Sequence, residues 1–465
     1  MSIDGVPGSR HAARLADCSP MRHADDDVRT PSPEWADLTG LARETATSHG
    51  AWISLAAAPG PHRAGPLAGI PLAVKDNIDV AGLATTAGSP LFDGYVAEAD
   101  AGIVSVLTGA GAVVLGKTNL HELAFGVTSD NACSGPVRHP RDPARSAGGS
   151  SGGSAVAVAL GVVPIGLGTD TGGSVTVPSA FCGIVGFRPS TGRYPGDGLA
   201  NLSHSRDTVG VHARSVREVR AVDAVVTATT TPDEPPPVAG LRIGVPRDRY
   251  RDVDPSVATA ARDALAALED AGARLVDVEV RDALASAAEH GIEIVRFECA
   301  RLVRQRLLFT GSPLATAGFG EIAAKIASPD VRALVESLAS APVTAARYAA
   351  ACAARWRLRE AYRAAFAASG ADALLWPTCP VAPPRLGRND TVVLNGRAVP
   401  LFPAVIRNTE PGAVAGQPAV TLPAPVPDGA MPVGMCLEGP VFGDGELLRV
   451  AAAVEAVFAA RAGQG

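Results

Sequence analysis

Two turns built almost wholly from glycine and serine bracket one short apolar helix and one short apolar strand, and few folds can use such an arrangement. The first is Gly148-Gly149-Ser150-Ser151-Gly152-Gly153-Ser154 and the second is Asp170-Thr171-Gly172-Gly173-Ser174. Between them, 155–160 reads as helix and 163–167 as strand. A flexible linker would not run straight into apolar segments, nor recur at a second junction of the same kind. Glycines lacking a Cβ permit tight turns in which several backbone N–H groups converge, a geometry suited to a negative oxygen.

The flanking sequence extends the pattern. The apolar stretch 67–74 reads as a strand that delivers Lys75 and Asp76, with a helix over 100–109 and a strand over 112–116. Further on, strands over 241–245 and 273–278 enclose a helix over 255–271. This alternation predicts an α/β protein whose sheet is covered on both faces. A helix is expected over 35–55, and 447–461 closes the chain as another. Residues 281–368 are almost entirely helical in pattern, with 343–367 forming one long helix or two. The expected organisation is a loosely ordered leader over 1–34, then one domain over 35–465 with a helical elaboration at about 281–368.

Charge narrows the function classes. The 465 residues carry 41 basic and 47 acidic side chains, a formal charge of −6, and so lack the basic excess of a nucleic-acid binder. The first 35 residues hold no apolar signal-like run, and the apolar stretch 155–167 is interrupted and too short to span a bilayer. The 7 cysteines form no CxxC pair, which fits reduced thiols in a cytoplasm. Among the 41 basic residues only Lys75, Lys117 and Lys325 are lysines. A buried lysine can lose its proton and act as a base, whereas arginine stays charged.

Two motifs are decoys. Gly111-Ala112-Val113-Val114-Leu115-Gly116-Lys117-Thr118 matches the phosphate-loop pattern, but its interior residues would themselves form a strand. Lys117 is expected to be structural. His121-Glu122 lacks the second histidine of a zincin, and no other cluster has convincing metal-ligand spacing.

Ser174, closing its glycine turn, is placed to attack a carbonyl, with donors from its own loop to receive the oxyanion. No histidine lies in either turn, so Lys75 is the alternative base. An unperturbed lysine is only about 0.1% neutral at neutral pH, so burial would have to lower its pKa by roughly three units. Intervening serines would relay the proton.

These segments resemble the amidase signature family of serine hydrolases. The resemblance covers most of 65–215, including Gly69-Ile70-Pro71-Leu72-Ala73-Val74-Lys75-Asp76-Asn77 and the two glycine–serine turns, with weaker pieces around Gly416-Gln417-Pro418-Ala419 and Met431-Pro432-Val433-Gly434. It implies a Ser–cis-Ser–Lys triad with Lys75 as base, Ser150 as the cis-bonded bridging serine and Ser174 as nucleophile. It also implies an oxyanion hole from the N–H groups of Thr171, Gly172, Gly173 and Ser174, supported by Asp170 and Ser151. The implied fold is a large mixed sheet of about eleven strands wrapped by helices. Many members carry Arg two residues after the nucleophile; this chain has Thr176, so Asp170 is expected to find another cation, with Arg188 the candidate.

The segment 192–208 resembles the mandelamide and indoleacetamide hydrolase branch, whose members act on amides with an aromatic acyl side. Tyr194, His204 and Arg206 are the candidate substrate contacts there, and the helical region 281–345, with Phe309 and Phe319, is expected to wall the entrance. The expected reaction is hydrolysis of small aryl carboxamides to carboxylate and ammonia, without a cofactor. Carbamates, anilides and esters are open alternatives with the same triad. The glutamyl-tRNA amidotransferase subunit is a further one, disfavoured by 192–208. The expected partner is a small-molecule amide or carbamate, with no nucleic acid and no membrane; a homodimer is left open.

Overall fold

The computed structural model describes residues 35–60, 63–229 and 234–462, with backbone alone for 281–289; the leader expected over 1–34 lies outside the described residues. The chain enters through α1 (Trp35–His49). The helix expected to reach residue 55 stops six residues earlier, because Gly50 adopts φ +65° and a Cβ there would stand 2.4 Å from Pro136 O. Residues Trp52–Leu55 instead form β1, an edge strand.

Strand β2 (Pro71–Lys75) is buried along its whole length, including Lys75 at the end of its apolar run, as a strand covered on both faces. Helix α2 (Gly102–Gly109) leads into β3 (Val113–Thr118), which pairs parallel with β2 and antiparallel with β1. The phosphate-loop match is thus a strand. Its Lys117 is buried, 3.2 Å from Asp76 and donating to Ala84 O and Thr85 Oγ1 at 2.9 Å each.

A short hairpin, β4 (Asp130–Asn131) and β5 (Gly135–Pro136), precedes α3 (Gly152–Ala159). Helix α3 begins three residues before the apolar run because its glycines are packing residues: a Cβ on Gly153 would stand 2.4 Å from Ala51 O and 2.5 Å from Asn119 O. Strand β6 (Ile165–Asp170) starts only after Pro164, which has no N–H to give a ladder. It pairs parallel with β2, Val74 opposite Leu167, so both strands end at the same edge of the sheet. Ligand sites in α/β sheets form at that carboxyl edge.

The chain continues through α4 (Thr176–Cys182), β7 (Val185–Arg188), β8 (Thr208–Ala213) and α5 (Val216–Thr227). Next come β9 (Arg242–Val245), α6 (Pro255–Asp270) and β10 (Arg274–Asp277). The helical elaboration comprises α7 (Arg281–Phe309), α8 (Phe319–Ala324), α9 (Pro329–Ser340) and α10 (Ala345–Ser369), the last a single helix. The return contains β11 (Ala373–Pro377), the hairpin β12 (Thr391–Leu394) and β13 (Arg397–Pro400), and α11 (Leu401–Ile406). It ends with α12 (Glu410–Ala415), β14 (Ala419–Pro423), β15 (Gly434–Glu438) and α13 (Asp444–Ala462).

The main sheet has 11 strands in the order β1-β3-β2-β6-β8-β7-β14-β15-β11-β9-β10. It is mixed: parallel at β3–β2–β6 and β11–β9–β10, antiparallel through the centre. The expected fold class is met. Among the described residues, no helix is long and apolar enough to cross a membrane.

Candidate active site

Lys75 ends β2 with its side chain fully buried, and its Nζ donates to Ser150 Oγ at 2.8 Å and to Thr169 Oγ1 at 2.8 Å. Burial lowers the amine from its ordinary 10.5 to about 7, although the charges of Asp170 and Asp207 pull the other way. Asn77 donates to the same Thr169 hydroxyl at 3.0 Å. Thr169, absent from the sequence-derived set, is therefore a ligand of the lysine. Its position next to Asp170 on β6 was the only signal.

Ser150 follows a cis peptide bond from Gly149. Its carbonyl accepts from His121 N at 3.1 Å and from Ser129 Oγ at 3.2 Å, which fixes the turn before α3. Gly149 must lack a side chain, since a Cβ would stand 2.8 Å from Ser129 N. Ser151 ties this turn to the other one: its N–H donates to Ser174 O at 3.1 Å and its hydroxyl to Thr169 O at 3.2 Å.

Asp170 braces the second turn from inside. Its Oδ1 accepts from Gly173 N at 2.8 Å and its Oδ2 from Val175 N at 2.8 Å. Arg188 is the cation behind it, at 3.9 Å, and also binds Glu438 at 3.0 Å. Thr176 closes the turn instead of reaching outward, with Oγ1 donating to Gly173 O at 3.3 Å. Of the four N–H groups expected to meet an oxyanion, that of Gly173 is already given to Asp170. Those of Thr171, Gly172 and Ser174 donate to no acceptor among the described residues.

Ser174 opens onto a cavity of about 480 Å³. Its walls are largely apolar, with Phe125, Val127, Leu202, Leu401, Phe402 and Ile406, and the helical elaboration adds Ile292 and Val295 from α7 and Leu334 from α9. Phe309 and Phe319 do not line it. Phe309 is 68% exposed and packs edge-on against Tyr95, while Phe319 lies under Arg304.

The three candidate substrate contacts separate. Arg206 lines the cavity, buried, with Nη2 donating to Thr171 O at 2.8 Å and Nη1 to Gly291 O at 2.7 Å. Tyr194 is a correction: it is buried away from the cavity, donating to Asp223 at 3.0 Å and packing edge-on against Phe187. His204 is a second correction, a surface residue 61% exposed and 3.4 Å from Glu298. His121 does line the cavity, but both ring nitrogens are occupied, by Asp330 at 3.1 Å and Thr128 at 3.3 Å. Among the described residues, no three His, Cys, Asp or Glu side chains are grouped to hold a metal ion.

An eleven-stranded mixed sheet with a serine–lysine cluster at its carboxyl edge defines an amidase, and the chain belongs to the Amidase family, matching it over residues 41–448. It is similar to the indoleacetamide hydrolase of Agrobacterium vitis, 37% identical over 397 residues covering 84% of this chain and 83% of that protein. The mandelamide hydrolase of Pseudomonas putida is 35% identical over 413 residues, 84% of this chain and 79% of that one. A crystal structure of an amidase superposes with a TM-score of 0.79 at 34% identity, covering 92% of this chain and 96% of the other. The protein is an amide hydrolase of that family.

Proposed function

We propose that the enzyme hydrolyses the C–N bond of small aryl-substituted carboxamides through Ser174, Ser150 and Lys75. The observation that carries this reading is the buried amine of Lys75, held 2.8 Å from Ser150 Oγ and lowered to about 7. At neutral pH a large share of it is unprotonated and able to accept a proton. His121 lines the same cavity, but its ring nitrogens meet Asp330 and Thr128, whereas the Ser150 hydroxyl meets Lys75.

In this mechanism Ser174 Oγ attacks the carbonyl carbon while its proton passes to Ser150 Oγ, and Ser150 passes its own to Lys75 Nζ. The N–H groups of Thr171, Gly172 and Ser174 receive the developing oxyanion; one such donor contributes about 3 kcal/mol. Collapse of the tetrahedral intermediate breaks the C–N bond, and the departing nitrogen takes a proton back along the same serine. Water then attacks the acyl-enzyme and regenerates Ser174. The apolar walls of the 480 Å³ cavity suit an aryl acyl group, in keeping with the substrates named for the indoleacetamide and mandelamide hydrolases.

The test is ammonia release from phenylacetamide by the purified protein, with loss of that activity in a folded Ser174→Ala variant. Faster release of amine and carbon dioxide from an aryl carbamate would transfer the assignment to carbamates, and absence of both would end it.

A further inference from the structure

Glu410 is a carboxylate for which the mechanism above has no use. It opens α12 immediately after Thr409, whose hydroxyl donates to Gly172 O at 2.7 Å, so its backbone is fixed against the turn that carries Ser174. The side chain is 15% exposed and shares the cavity wall with Thr171, Gly172, Ser174 and Arg206. Gly291 of α7 covers it closely, since a Cβ there would stand 2.7 Å from Glu410 Oε1.

The nearest cation is Arg206, whose Nη2 is 3.9 Å from Oε1, beyond hydrogen-bond reach. That guanidinium already donates to Thr171 O and Gly291 O. Among the described residues, no N–H or O–H donates to the Glu410 carboxylate. Burial raises its affinity for a proton and Arg206 opposes the shift. The carboxylate, 15% exposed, therefore turns its free acceptor capacity toward the cavity, where a ligand that brings a donor can use it.

We propose that Glu410 is a specificity-determining acceptor, taking a hydrogen bond from an N–H or O–H that the substrate carries next to its scissile carbonyl. The inference rests on the amide-hydrolase reading. The donor has two sources, the carboxamide NH₂ itself or a hydroxyl on the adjacent acyl carbon. Both lie within a few bonds of the carbonyl that Ser174 attacks, and Glu410 lines the same cavity as Ser174. A wall that offers a mostly buried acceptor rejects analogues lacking the donor more strongly than an apolar wall rejects a misfit, because their binding strips its water without replacing it.

The experiment measures kcat/KM for phenylacetamide, 2-hydroxy-2-phenylacetamide and methyl phenylacetate with wild type, Glu410→Gln and Glu410→Leu. Ratios between substrates within one enzyme do not depend on the fraction that folds. Glu410→Leu is expected to lower the amide-to-ester ratio about ten- to a hundredfold, with Glu410→Gln in between because it keeps one acceptor. A loss shared by both amides assigns the donor to the carboxamide, and a loss confined to the hydroxy amide assigns it to the hydroxyl. Equal changes for all three substrates, or none, overturn the proposal. Wild-type enzyme that turns over none of the three would overturn the proposed aryl-carboxamide reading itself, a result distinct from equal changes.

Discussion

The Nζ of Lys75 and the Oγ of Ser150 stand 2.8 Å apart with neither residue exposed to solvent. The amine reaches that position because β2 runs parallel to β6 and stops short of it, leaving Thr169 beside the lysine, and the serine because its turn is pinned by His121 and Ser129. Removing either member should therefore interrupt one path. Lys75→Ala and Ser150→Ala are each expected to lower kcat by about a hundredfold to ten-thousandfold. Lys75→Arg should not restore it, because a guanidinium keeps its proton. Steady-state rates on phenylacetamide decide the point, and an active Lys75→Arg enzyme would remove the lysine from the mechanism.

Activity should rise with pH through about 7, where the buried amine becomes neutral. Stability has its own sign. The unfolded chain keeps the ordinary lysine affinity of 10.5, so between about 7 and 10.5 it binds the proton that the folded chain lacks. Stability from this position therefore increases with pH across that window, and the full penalty, on the order of 5 kcal/mol, applies below about pH 7. In urea unfolding, the midpoint difference between Lys75→Met and wild type should move in favour of wild type as pH is raised from about 6.5 to about 9.5. A difference flat in pH would show an unshifted amine.

Thr169 should act as a positioning residue. Its hydroxyl accepts from the lysine amine and so favours the charged form. Thr169→Val is expected to move the midpoint of the pH–rate profile to lower pH while reducing the plateau roughly tenfold. A reduced plateau with an unmoved midpoint would mark a merely structural contact.

Asp170 holds the N–H groups of Gly173, Val175 and Thr176 and faces the buried Arg188. Asp170→Ala leaves that arginine with Glu438 as its carboxylate partner, beside the carbonyls of Gln417 and Thr409, and frees the turn, and should lower stability by about 3 kcal/mol. Asp170→Asn keeps an acceptor and should fall between wild type and Ala in both thermal midpoint and kcat.

Gly173 has φ +138°, and a Cβ there would stand 2.3 Å from Thr409 Oγ1. Gly173→Ala is expected to cut kcat at least about tenfold. The double variant with Thr409→Ala relieves the contact but not the backbone conformation, so it should recover only part of the loss.

Much of this was legible locally. The glycine–serine turns, the strand ending at Lys75 and the long helices are written in short-range patterns that period and turn chemistry can read. Boundaries were harder. The glycines of α3 look like loop until Ala51 and Asn119 are seen to press on them, and Gly50 ends α1 for a reason set by Pro136. Side-chain roles set by distant segments were the least visible. Tyr194 and Arg206 lie near one another in sequence, yet Asp223 draws one into the core while Thr171 and Gly291 hold the other at the cavity. Glu410 carries no local sign of its neighbours, which arrive from α7, the turn after β6 and the loop before β8.

Ile292, Val295 and Leu334 reach the cavity from the inserted helices, whereas Lys75, Ser150 and Ser174 stand on the sheet edge and its turns. Part of the cavity wall and the proposed catalytic side chains are thus encoded in separate stretches of the gene. Reshaping the cavity-facing side of those helices would retarget such an enzyme, provided Gly291 went on holding the Arg206 that also grips Thr171.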